Sequence, residues 1–217
     1  MKEIIIQNVH SISGISVFII GLLQIILKKG GRKHKILGQI YLYTWLILLI
    51  SGISLGGAFL STVGIFGFYF VLTGSRIAKF KNKSITIFDK TIISSAILTA
   101  LYMLYFSCTL YLKDQISFAI IFFVFGSIFL YTTTQDFFKY VLNKPLTKQT
   151  YGKLDWYFEH FIRMYISFIA ALTAFASVQN VFNNNTLNFL LPTVIGTLFI
   201  NFATKNYKKK LLKNSTQ

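Results

Sequence analysis

Hydrophobic residues in this chain come in long runs separated by short polar gaps, with no period-two alternation of the kind that marks β-strands. The runs approach the length that crosses a bilayer as a helix, about 20 residues. They predict seven helices, at 9–28, 36–56, 58–78, 91–112, 116–137, 157–181 and 187–204. The expected fold class is all-α, a polytopic membrane bundle of seven transmembrane helices. It occupies a single domain, 1–204, followed by a basic tail, 205–217, that is disordered or lies on lipid headgroups. Helices two and three are divided only by Gly56 and Gly57.

Inside the runs, polar and small residues recur at steps of three and four, which places them on one helix face. The first helix carries His10, Gly14, Val17, Gly21, Gln24 and Lys28. The second carries His34, Gly38, Tyr41, Trp45, Leu48 and Gly52. A ridge of Gly64, Gly67, Gly74 and Ala78 marks the third, and Ser167, Ala170, Ala171, Ala174 and Ser177 mark the sixth. Small residues let membrane helices approach closely. Eleven of the 14 glycines precede residue 77, so helices one to three are expected to pack tightly. Helix five, FAIIFFVFGSIFLY, is bulky all round and is expected to face lipid. Pro192 is expected to kink helix seven or to mark its true start.

Composition agrees: 54% of residues are hydrophobic and 13% charged, against roughly 25% charged in a soluble domain. The net charge of +16 would suit nucleic acid, but the positions of the charges argue against that partner. Segments 28–35, 76–90, 138–156 and 205–213 hold five, five, four and five Lys plus Arg, while the opposite side holds only Lys2 and Lys113. Positive segments stay in the cytoplasm. With seven helices this puts the N-terminus outside and the C-terminus inside a bacterial cytoplasmic membrane, with the basic face against anionic lipid headgroups. The first run has its positive cluster after it rather than before it, which is not the order of a signal peptide. Cys108, the only cysteine, rules out disulfides within the chain and cysteine metal sites.

Ionisable groups within membrane spans are costly and point to function. His34 and His160 fall at the cytoplasmic end of helices two and six, while His10 lies on the outer side. Trp156, His160, Arg163 and Ser167 share a face, so His34, His160 and Arg163 are expected to meet between helices two and six. Two imidazoles from different helices suit the axial ligation of a haem b, with Arg163 as partner to a propionate. The same residues have plainer readings: His34 as part of a lipid-phosphate-binding turn with Lys33 and Lys35, and His160 bonded to a backbone carbonyl or paired with Asp155 or Glu159. Glu159 is expected to pair with Arg163, four residues on, or to relay protons with His160. His10 and Gln24 are candidates to line a polar cavity, and Gln24 serves equally as a helix-to-helix hydrogen-bonding group. No phosphate-binding Gly-rich loop, HExxH or GxSxG is present, so no catalytic motif suggests an enzyme.

The pattern His10-x3-Gly14-x6-Gly21, then Lys29-Gly30-x3-His34-x3-Gly38-x2-Tyr41, resembles an uncharacterised family of bacterial multi-pass membrane proteins. Trp156-x3-His160-x3-Met164, followed by SFIAALTAFASVQN, is similar to that family's second half. A further histidine that some members carry near helix three is replaced here by STVGIFGFYF. The resemblance implies a location and a fold but no activity. The expected activity stays open between an electron carrier using His34 and His160, a small-molecule or ion transporter, and a non-catalytic interaction subunit.

Overall fold

The computed structural model describes residues 1–55, 58–81, 85–146 and 151–214. It is all α-helical: α1 (Lys2–Ile26), α2 (Arg32–Leu55), α3 (Ala58–Phe80), α4 (Ile87–Tyr111), α5 (Ile116–Asp136), α6 (Asp155–Val178) and α7 (Asn185–Asn214). All seven are long and apolar enough to cross a membrane, so the chain is a multi-pass membrane protein. The expected joint at Gly56 and Gly57 lies outside the described residues.

Helix ends extend beyond the apolar runs because helical hydrogen bonding does not stop where hydropathy does. α1 begins at Lys2 and α7 continues to Asn214, so residues 205–214 of the expected tail are helical. Pro192 neither restarts nor ends α7. α4 begins earlier than hydropathy suggests because Thr86 and Asp89 form a capping box, with the Thr86 N–H donating to Asp89 Oδ2 at 2.9 Å. α5 ends in a π-helical turn, Phe137–Val141.

α3 and α6 form the central pair and are the most buried spans. On one side sits the α1–α2 hairpin, with α2 against α3 and α1 against α6. These four helices make a closed ring in which α2 and α6 stand at opposite corners. On the other side, α4 touches α3, α5 touches α4 and α7, and α7 lies along α6. The small ridge of α3 therefore serves α6 as much as α2. Gly67 sits under Trp45 and beside Ala170, and Gly74 lies against Arg163 and Met164. Tight packing holds for α1 with α2 and for α2 with α3, but α1 turns its other side to α6 rather than to α3.

Helix five departs from expectation. It buries Ile121, Phe122, Phe125 and Phe129, each no more than 2% exposed. Phe66 of α3 meets the Phe125 and Phe129 rings edge to face at 5.5 and 5.2 Å, and Phe125 meets Phe189 of α7 at 6.3 Å. Hydropathy cannot distinguish lipid from an aromatic interior, because both are apolar. Edge-to-face rings fill space that small residues would otherwise close by backbone approach. α5 keeps one exposed face, with Ile120, Phe123 and Tyr131, and the most exposed spans are α1, α2 and α7, each only 17% buried.

Candidate functional site

Polar groups converge at the end of the bundle where α1 and α3 finish and α2, α4 and α6 begin. They form two clusters, on opposite sides of the α3–α6 pair.

The first lies inside the α1–α2–α3–α6 ring. His34, in the first turn of α2, and His160, in the second turn of α6, reach toward each other from opposite corners, with ring centroids 6.5 Å apart and planes at 89°. The His160 Nδ1 lies 2.9 Å from the Gly74 carbonyl oxygen. A carbonyl only accepts, so Nδ1 carries the proton and Nε2 is left with a lone pair. Gly74 makes this contact possible: a Cβ there would come within 3.0 Å of the Arg163 Cβ. The His34 Nδ1 is buried without a hydrogen-bond partner. Gln24 Nε2 donates to the His34 carbonyl oxygen at 2.9 Å, tying the end of α1 to the start of α2. Lys29, in the α1–α2 turn, donates to the carbonyls of Gln24 and Ile25, and burial lowers its ammonium pKa. Two turns further in, Tyr41 Oη and Ser167 Oγ, 3.2 Å apart, close the ring from the same two corners.

The second cluster lies between α3, α5 and α6. Arg163 pairs with Asp136 and donates to Thr73 Oγ1 at 2.9 Å, and Tyr69 donates to the other oxygen of Asp136. All four residues are buried. One turn outward, Glu159 accepts from Lys139 and Tyr140 of the π-turn. At the edge, Arg76 pairs with Asp89 through two nitrogens, and its guanidinium lies 5.2 and 4.8 Å from the Phe80 and Phe88 ring centroids.

Of the residues expected from sequence, His34 and His160 come together. Arg163 does not join them: it turns to Asp136, because α3 inserts between the two directions, with the Gly74 carbonyl toward His160 and the Thr73 hydroxyl toward Arg163. Glu159 pairs with Lys139 rather than with Arg163. His10 lies at the far end, with Nδ1 3.1 Å from Ser51 Oγ of α2. It is separated from Gln24 by 14 residues of α1, or about 21 Å of helix. His10 and Gln24 thus each bridge α1 to α2 and share no common space. Trp45 is core, and Trp156 lies under the Lys81 ammonium, 5.2 Å from the ring centroid.

Sequence reading missed Asp136, Tyr69, Thr73 and the pairing of Arg76 with Asp89. Asp136 had a signal: it is an acid inside the expected span 116–137, opposite a lone Arg inside another span. The chain matches no protein-family model, no curated protein and no solved structure.

Proposed function

We propose that this chain is a bacterial cytoplasmic-membrane protein of the uncharacterised family its motifs resemble, with the N-terminus outside and both polar clusters at the cytoplasmic end. We further propose that it carries electrons on a b-type haem ligated by His34 and His160. The observation that carries this reading is the pair itself. Two imidazoles from opposite corners of a four-helix ring sit at the spacing of rings sharing one metal ion, given imidazole nitrogen–metal bonds of about 2.0–2.1 Å.

Two features support it. The Gly74 carbonyl fixes the His160 tautomer that leaves Nε2 for iron, the usual arrangement of a metal-binding histidine. Among the described residues, no three or more His, Cys, Asp or Glu side chains converge. A cage for a bare divalent ion would want them, whereas a haem brings four of its own nitrogens and asks two of the protein. With Arg163 engaged by Asp136, we assign an acidic arm of the haem to the basic turn around His34, which carries Lys29, Arg32, Lys33 and Lys35. The transporter reading built on His10 and Gln24 gains no support from this geometry.

The protein purified in detergent should show a Soret band, and dithionite should sharpen its visible bands. His34→Ala and His160→Ala should each abolish them without loss of folded protein. Absence of these bands after expression with added haem, in a protein that is monodisperse, would end the haem reading. The topology has its own test: a reporter after Gln217 should be active in the cytoplasm and one before Met1 outside, and both on one side would refute the orientation.

A further inference from the structure

The second cluster borders a narrow pocket at the basic end, independent of the histidine pair. Ile77 and Ile93 wall it, Asp136 and Arg163 lie deepest, and Arg76 and Asp89 stand nearer the end of the bundle. Its interior has room for about one or two water molecules, and the polar groups around it supply the several partners a held water needs.

We propose that this pocket is a hydrated access route from the basic-side solution to the Asp136–Arg163 pair, and that the Arg76–Asp89 pair is its latch. The two ion pairs differ in how readily they can open. The Arg163 side chain is 10% exposed, and releasing it would leave two charges within apolar surroundings. The Arg76 side chain is 24% exposed at the bundle edge, and Asp89, although only 8% exposed, keeps the hydrogen bonds from the Thr86 N–H and hydroxyl when the guanidinium leaves, so this pair opens at lower cost than the deeper one. A buried ion pair is a poor choice for stability alone, because well-packed apolar residues do as well. Its presence beside a pocket of water size points to exchange with solvent. The backbone leaves regular helical geometry at the same place: the π-helical turn that ends α5 begins immediately after Asp136. With the latch closed, the pocket is too narrow and too apolar in its walls for an organic solute. What it passes is water, and with water the protons that reach Asp136.

Ile93, 3% exposed, lines the route. Ala100, fully buried and two turns deeper on α4, does not. Each is replaced by Cys in a Cys108→Ser background and labelled in detergent with a small, charged thiol reagent. Ile93→Cys should react slowly with the latch intact and about tenfold faster when Asp89→Asn opens it, the change expected for a contact of about 1.4 kcal/mol. Asp89 also caps α4, so Arg76→Gln, which spares the cap, must give the same acceleration. Ala100→Cys should stay unreactive throughout. An Ile93→Cys rate that neither variant changes would overturn the proposal, and so would equal acceleration at Ala100→Cys, which would make the pair a structural staple.

Discussion

Arg163→Ala should be the most damaging single substitution in the polar clusters, costing about 3–5 kcal/mol, the range for removing one partner of a buried ion pair. The loss of attraction is the smaller part. The Asp136 carboxyl group, 6% exposed, would keep its Tyr69 hydrogen bond but lose the guanidinium it pairs with. Thr73 would lose its contact with Arg163 as well. The distinguishing result lies in the double variant. Arg163→Leu combined with Asp136→Leu removes both charges, and replacing a buried pair with apolar groups of similar volume is often neutral or stabilising. Thermal unfolding followed by size-exclusion profile should therefore rank wild type and the double variant close together, with Arg163→Ala far below. If the double variant is as unstable as Arg163→Ala, the pair contributes net stability, and the case for a functional reason behind its burial is lost.

The seven helices were legible because a bilayer imposes a length and a composition that few other constraints override. Faces were legible where spacing was regular. Tyr41 and Trp45, four residues apart on the α2 seam, are both buried, 1% and 3% exposed. Neighbours were not legible. His160 and Arg163 share a face by spacing, yet the angle between them is enough for α3 to separate their partners. Only the path of a third helix decides that, and no local pattern records it. Asp136 was passed over for a related reason. The topology rule counts Lys and Arg, so a single acid near the end of a span left the count untouched, although among the described residues it is the acid that pairs with Arg163. In α5, bulky apolar residues read the same whether they meet lipid or the rings of α3 and α7.

Gly67→Leu should prevent assembly of the four-helix ring, and Gly67→Ala should already destabilise it by about 1–3 kcal/mol, the cost of overpacking a filled interior. A Cβ at this position would lie 2.4 Å from Trp45 Cη2 and 3.1 Å from the Ala170 Cβ, so α2 and α6 both press on the same bare backbone. Trp45 is 3% exposed and cannot swing away without opening the core. Gly14 is the control, because a Cβ there would meet only Leu48 Cδ1, at 3.8 Å, an ordinary contact. Gly14→Ala should be neutral or should stabilise α1 by up to about 1 kcal/mol, since alanine is the better helix former. The two alanine variants therefore move in opposite directions although both remove a glycine from the same half of the chain. Trp45→Phe should recover part of the loss in Gly67→Ala, because the smaller ring vacates the space that the new methyl needs. The same displacement should reach the histidine pair: α2 carries both Trp45 and His34, so pushing it outward widens the 6.5 Å separation from His160. If Gly67→Ala unfolds at the wild-type temperature while Gly14→Ala does not, the packing of α3 between α2 and α6 is wrong, and the ring that brings His34 to His160 goes with it.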